Sequence, residues 1–271
     1  MASTLAARYA VPPMAHVGAC TELSVSIAGY LEALVDTVRS HLSSLDAVAL
    51  YGSAATRSFV PGVSDLDVAA VCDRSPSLPE KQFLADSIAH ENLPVPTRRL
   101  EFVLYAASSV RNPQAGIDFE INLNTGPELD TTTSFDSSTE PRHWFVIDIS
   151  ICREHGCSLF GPSPREVFAP VPEKVLLEAL RESLRWYEDH ESSAANTILA
   201  ASRAWAYALE RRWLPKDKAA TWAIERYSDA ELIHTAVSAR RMASSQTFDA
   251  ERVHELLRHV ATVLEMKTPP R

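Results

Sequence analysis

The chain reads as an α/β (α+β) N-terminal domain, a mixed β-sheet flanked by helices, joined to an all-α C-terminal helical bundle. Three observations predict this. The apolar runs before about residue 124 are short or strictly alternating, as strands require. Four prolines, which do not sit inside regular elements, crowd into Gly161–Pro172 (GPSPREVFAPVP). Beyond that segment every apolar pattern has helical spacing. The expected units are an N-terminal arm over 1–20, the α/β domain over 21–168 and the helical domain over 169–271.

The elements follow in order. From Thr21, apolar residues Leu23, Ile27, Leu31, Leu34, Val35 and Val38 recur at three- and four-residue steps and predict a helix. Leu45–Tyr51 (LDAVALY) is a short buried strand ending at Gly52-Ser53, and Pro61-Gly62 marks a turn. Asp67–Cys72 is a second strand, Glu80–His90 a helix, and Arg99–Ala106 (RLEFVLYA) a third strand. Ile117–Asn124 (IDFEINLN) alternates: Ile117, Phe119, Ile121 and Leu123 are expected on one face, Asp118, Glu120, Asn122 and Asn124 on the other. The polar face either meets solvent or lines a cleft. Asp130–Thr139, rich in Thr and Ser, reads as a loop. Pro141 suits the first turn of a helix that runs to His155 and stops at Gly156. In the C-terminal part, Leu176, Leu180 and Leu184 form one stripe, and Ile198, Ser202, Trp205 and Leu209 another. Ser228 and Glu231 fit a capping box, and Val253, Leu256, Leu257, Val260 and Leu264 form the last buried face.

Composition narrows the function. Of 271 residues, 46% are hydrophobic and 23% charged, an ordinary globular balance. The 26 Lys and Arg against 35 Asp and Glu give a net charge of −9. That field argues against nucleic acid as a partner, since phosphate neutralisation supplies most of such affinity, and favours a cationic ligand. Four cysteines in a chain this long are not a disulfide framework. The first residues carry no basic-then-apolar leader, and no apolar run is long enough to span a bilayer. These features predict a cytoplasmic protein without a membrane partner.

The chemistry concentrates in Tyr51–Val71 (YGSAATRSFVPGVSDLDVAAV). Gly52-Ser53 sits where a strand turns into a helix, a place suited to a phosphate. Asp65 and Asp67 point to the same side of a strand start. Two close carboxylates are costly unless a cation separates them, and hard oxygen ligands suit Mg²⁺, whose shell substrate phosphates complete. A solvated Asp-x-Asp at a loop edge is the plain alternative. Glu101, a third carboxylate inside an apolar strand, is a candidate base and metal ligand, or simply a residue of an exposed face. Other patterns carry less. Cys152, His155 and Cys157 have no second ligand pair, and His254 and His259 are spaced five apart, off one helix face. Trp205, Trp213 and Trp222 suit packing. Trp186 is either the end of a buried stripe or a platform for a sugar or guanidinium group.

Gly-Ser followed by Asp-x-Asp resembles the signature of the DNA polymerase beta-like nucleotidyltransferase superfamily. More closely, the chain resembles the aminoglycoside adenylyltransferases that modify streptomycin and spectinomycin. The resemblance rests on LYGSA (Leu50–Ala54), SDLDV (Ser64–Val68), RLEFVLY (Arg99–Tyr105), REHGCSLFGP (Arg153–Pro162), FAPVP (Phe168–Pro172), SRAW (Ser202–Trp205) and PKDKAATWAIER (Pro215–Arg226), in order along both domains. It implies triphosphate and metal groups at Ser53, Ser64, Asp65 and Asp67, next to the nucleotide-binding Gly52 read from the turn, with Glu101 as catalytic base. It implies phosphate binding by Arg203 and Lys216, two Mg²⁺ ions, ATP as co-substrate and an aminoglycoside as cationic acceptor. The match departs at the acceptor. The family's FGEW is FEIN here (Phe119–Asn122), and Trp144 is no evident substitute. Trp186 matches a family tryptophan, and an acceptor carboxylate is expected among Glu188, Asp189 and Glu191, with Asp189 and Glu191 favoured.

The activity these features predict is ATP-dependent O-adenylylation of an aminoglycoside hydroxyl by a monomeric antibiotic-resistance enzyme, with release of pyrophosphate. The alternatives are the same transfer to another small-molecule or protein hydroxyl, or a nucleotide-binding module without turnover. An intact trio of Asp65, Asp67 and Glu101 disfavours the last, because a module has no need of three carboxylates.

Overall fold

A computed structural model describes residues 23–113 and 117–268. The arm expected over 1–20 lies outside the described residues.

Helix α1 (Val25–His41) starts where the Ser24 hydroxyl accepts a hydrogen bond from the Ile27 amide, later than Thr21, and buries Ile27, Tyr30, Leu31, Leu34, Val35 and Val38. Strand β1 (Leu45–Tyr51) leads into a single helical turn, α2 (Gly52–Ala55), and then to β2 (Leu66–Cys72). Helix α3 (Leu78–Ile88), capped by Ser77 with Glu80, crosses over to β3 (Leu100–Ala106), so β2 and β3 pair in parallel. After α4 (Ala107–Arg111) come β4 (Phe119–Gly126), β5 (Leu129–Ser134), α5 (Arg142–His155), β6 (Cys157–Phe160) and α6 (Pro164–Val167). The sheet has six strands in the order β5-β4-β3-β2-β1-β6, and its other pairings are antiparallel. The mixed sheet with flanking helices and the helical remainder are the expected fold class.

Two strands escaped the sequence reading. β5 lies in the segment read as a loop: at the sheet edge, its Thr-rich residues have one ladder partner and no buried face to enforce apolar alternation. β6 has four residues, too few to display a period.

The expected face of Ile117, Phe119, Ile121 and Leu123 is split. Leu104 pairs with Ile121 but Tyr105 pairs with Phe119, so a bulge at Glu120 reverses the alternation. Ile121 and Leu123 face α1 and α3; Ile117 and Phe119 face the other side of the sheet.

That other side carries the helices α7 (Glu173–His190), α8 (Ala195–Glu210), α9 (Lys216–Ile224), α10 (Ala230–Arg241) and α11 (Ala250–Lys267). Ala49, Ala69, Val103 and Phe119 of the sheet, Phe145 and Ile149 of α5, and Leu180, Ile198 and Leu257 of the bundle belong to one apolar core. The predicted stripes are buried except Leu209, which is exposed at the end of α8. The cap of α10 is Asp229 and not Ser228: Asp229 Oδ1 accepts from the Leu232 amide at 3.3 Å, and Arg252 donates to both its oxygens. Among the described residues no helix is long and apolar enough to cross a membrane.

Candidate active site

Strand register builds one wall of the site. Tyr51 lies opposite Asp67, Asp67 opposite Glu101, and Glu101 opposite Asn124. Four neighbouring strands thus carry one row of polar side chains, continuing the face that further along the strands is Ala69 and Val103. Asp65, two residues before Asp67 and just outside β2, lies on the same face. Gly52 begins α2 at φ +65, and a Cβ there would overlap the Asp67 carboxylate. Glycine is therefore required twice, by backbone conformation and by the approach of Asp67. Ser53 follows in the same turn. Ser64 is buried, its Oγ accepting from the Val60 amide at 2.9 Å and from Arg240 Nη2 at 3.2 Å.

Crowding sets the charge balance of this wall. Burial, followed by the neighbouring Glu101, Asp148 and Asp65, holds the Asp67 carboxyl well above its ordinary range. Asp148, on α5, is pushed up to about 7 by burial and then by Glu101; Arg203, Lys216 and the Tyr51 hydroxyl, 3.5 Å away, oppose the shift. Arg99 Nη2 donates to Asp65 Oδ2 at 2.7 Å and also contacts Glu101 Oε1. Asp65 Oδ1 is buried without a hydrogen-bond partner, with Arg98 Nη1 3.9 Å away.

The opposite wall is cationic and comes from the helices. Arg203 (α8) sets its guanidinium 5.6 Å from the centre of the Trp213 ring. Lys216, first residue of α9, donates to Asn196 Oδ1 at 2.8 Å, and Asn196 Nδ2 donates to the Tyr187 hydroxyl at 3.1 Å. Burial, then the nearby Arg203 and Arg240, lowers Lys216 to about 8. Arg203 is lowered as well, chiefly by burial. The α8–α9 turn is pinned to α5: Trp213 Nε1 donates to Ser150 Oγ at 2.9 Å, the Trp213 amide to Glu154 Oε1 at 3.0 Å, and its carbonyl meets His155 Nε2 at 2.8 Å. Asp148, on that same helix, is thereby fixed relative to Arg203 and Lys216. Carboxyl groups that favour the charge of the buried Arg203 are those of Asp148 and Asp67, with the neutral Tyr187 hydroxyl beside them.

The walls enclose a cavity of about 820 Å³. Gly52, Ser53, Ser64, Asp65, Asp67, Glu101, Trp186, Glu191, Arg203 and Lys216 all line it. Asp189 does not: it is exposed on the outer side of α7, as is Glu188, whereas Glu191 lies beyond the helix end and turns inward. Asn122 and Asn124 line the cavity, but Glu120 is paired with Lys81 at 2.5 Å and Asp118 accepts from Ser137 at 3.1 Å. Trp144, dismissed from its position in the sequence, lines the cavity with its ring 5.2 Å from that of Trp186 and 5.4 Å from that of Tyr187. His190 stacks on Trp186 at 4.6 Å.

Tyr51, Arg99, Trp144, Asp148 and Arg240 were missed as site residues. One of them left a local signal: Asp148 interrupts Phe145, Val146, Ile147, Ile149 and Ile151, all buried.

The donors suit a hard divalent cation. Asp65 has an unpartnered buried oxygen, and Asp67 and Glu101 are adjacent carboxylates whose repulsion a cation would relieve. Among the described residues no three His, Cys, Asp or Glu side chains already converge to hold a metal; Arg99 bridges Asp65 and Glu101 instead.

Residues 166–266 match the family model described as aminoglycoside adenylyltransferase, C-terminal domain. An aminoglycoside (3'')(9) adenylyltransferase of Rhizobium radiobacter is 44% identical over 87 residues, 30% of this chain and 32% of that protein. One of Escherichia coli is 36% identical over 126 residues, 42% of this chain and 48% of that protein. The matched region thus spans from a third to about half of the length of these curated relatives. Among solved structures, the fold is similar to spectinomycin adenyltransferase AAD(9) from Enterococcus, determined with ATP and spectinomycin, at a TM-score of 0.64 and 16% identity over 86% of this chain and 98% of that one. Residues 166–266 are thus similar to the C-terminal domain of aminoglycoside adenylyltransferases, and the fold is that of the solved neighbour.

Proposed function

We propose that the chain transfers the adenylyl group of ATP to a hydroxyl of an aminoglycoside of the streptomycin or spectinomycin type and releases pyrophosphate. One observation carries the reading: Asp65, Asp67 and Glu101 face Arg203, Lys216 and Arg240 across a single cavity of about 820 Å³. A triphosphate with its cation matches that pairing, since it offers charge of both signs to opposed walls. The names of the partial relatives support the same reading. In this scheme the unit over 21–168 supplies the anionic wall and the unit over 169–271 the cationic one.

Asp65, Asp67 and Glu101 are the residues that would hold two Mg²⁺ ions, which when bound neutralise the triphosphate and polarise the α-phosphate. The turn at Gly52-Ser53 and the Ser64 hydroxyl border the phosphates; Arg203 and Lys216 contact them from the other wall. Glu101 accepts the proton of the acceptor hydroxyl, whose oxygen attacks the α-phosphorus in line. The bond to the bridging oxygen of the β-phosphate breaks and pyrophosphate leaves. Positioning and charge neutralisation supply most of the acceleration. The acceptor lies toward Trp186, Glu191 and Trp144, where aromatic faces and a carboxylate suit ammonium or guanidinium groups. The chain acts in the cytoplasm as a monomer.

Pyrophosphate release from Mg-ATP, measured against a panel of aminoglycosides with mass spectrometry of the products, tests this. Release dependent on streptomycin or spectinomycin, with an adenylylated product, is expected. Turnover only with another hydroxyl compound or a protein would move the acceptor assignment. ATP binding without turnover under every condition would leave a nucleotide-binding module.

A further inference from the structure

Two arginine–carboxylate contacts among the described residues differ in design. Arg252 grips Asp229 with two nitrogens, Nε at 2.8 Å and Nη2 at 2.7 Å, the paired geometry of a lasting clamp. Arg99 uses the single nitrogen Nη2 for both Asp65 and Glu101, while its Nε is buried without a partner. Its backbone is nevertheless fixed, because the Arg99 carbonyl accepts from the Leu66 amide at 2.9 Å and from Thr97 Oγ1 at 3.2 Å. The side chain therefore makes two charged contacts through one atom, from a rigid base, and lines the cavity. The carboxylates it holds are those assigned to the divalent cation.

We propose that Arg99 is the resident counter-cation of this site. Without divalent cation it neutralises Asp65 and Glu101 and keeps them facing Asp67; when the cation enters, Arg99 yields both carboxylates, so the two compete for the same oxygens. The proposal rests on the reading of this cleft as a divalent-cation site. It has two consequences of opposite sign. Removing the guanidinium takes the nearest counter-charge from Asp65 and Glu101 beside Asp67, which destabilises the metal-free protein. It also removes the competitor, which tightens cation binding.

The test uses the full chain, Mn²⁺ as probe and two variants, Arg99→Gln and Arg99→Lys, without acceptor. In chelator, Arg99→Gln is expected to unfold about 5 °C or more below the unmutated protein, a shift within the range a lost buried contact produces. Its Mn²⁺ affinity, by electron paramagnetic resonance or calorimetry, is expected to rise roughly tenfold. Arg99→Lys keeps the charge and should fall between the two. Mn²⁺ affinity unchanged or weakened in Arg99→Gln, with the unmutated protein binding Mn²⁺, overturns the counter-cation role and leaves the site assignment standing. Absence of Mn²⁺ binding by every form, with and without ATP, overturns the divalent-cation reading and this proposal with it. If Arg99→Gln does not fold, the double variant Arg99→Gln/Glu101→Gln decides: recovery of folding supports the charge argument, and continued misfolding marks Arg99 as a packing element and overturns it.

Discussion

The two walls of the cleft are built by different means. The anionic wall is a matter of register: Asp67 and Glu101 are adjacent because β2 and β3 pair in parallel with those residues opposite each other. The cationic wall is a matter of packing: Arg203, Lys216 and Arg240 come from three helices, brought together by the shared core and the Trp213 pin to α5. Each wall is unfavourable by itself. Burial, and after it like charges, raises Asp67 and Asp148 on one side and depresses Lys216 on the other. Each wall also moderates the other, since Lys216 lowers Asp148 and Asp67 raises Lys216. The cleft thus stores opposed charge on rigid elements, which suits a ligand carrying both signs.

The largest effect is expected on the anionic wall. Glu101→Gln keeps the shape but removes the basicity, and turnover should fall by roughly 10²–10⁴-fold with ATP still bound. Asp67→Asn should cost at least ~10²-fold, since charge is lost where it is most concentrated. Steady-state rates with circular dichroism as a fold control check both. Full activity in Glu101→Gln would remove it as base, and near-normal rates in Asp67→Asn would break the assignment of this wall to the cation.

A smaller effect belongs to the cationic wall. Arg203→Ala and Lys216→Ala should each weaken ATP binding by roughly 1.5–3 kcal/mol, the range for a charge-assisted contact. Calorimetric titration with ATP measures this. Equal affinity in both variants would mean that the helices do not contribute to the nucleotide site.

The smallest concerns Asp148, which stands between the walls. Its folded pKa of about 7 exceeds the ordinary 3.8. The folded state therefore holds a proton that the unfolded chain has lost, and this group's contribution to stability disappears as pH rises from about 4 to 7. Asp148→Asn should flatten that part of the profile and unfold at a higher urea concentration than the unmutated chain at pH 8, with little difference at low pH. A variant less stable at pH 8 would show that the Asp148 charge is held by Arg203 and Lys216 more strongly than burial opposes it.

Local residues announced the anionic wall. A glycine before a serine after a strand, two aspartates two apart and a glutamate in an apolar strand are all short-range patterns, and period two fixes which way they point. The acceptor side was less legible. Asp189 and Glu191 differ in sequence by two positions, yet α7 ends at His190, so one stays on the outer surface and the other turns into the cleft. Trp144 sits far from the family's tryptophan position along the chain and meets Trp186 only because α5 packs against α7. The bulge at Glu120 left no trace in a perfectly alternating IDFEINLN, because a bulge is a property of two strands and not of one.

The sequence by itself determined the fold class, from strand-like patterns followed by helical ones, and which side of its strand each candidate carboxylate takes, from spacing within a single element. Tertiary structure alone decided which charges meet. Asp148 with Tyr51, Arg240 with Ser64, and Arg99 between Asp65 and Glu101 join residues 97, 176 and 34 positions apart, with Glu101 the near exception. Periodicity has no reach over such distances; only strand pairing and helix packing bring those groups together, and burial then sets the charge each one carries.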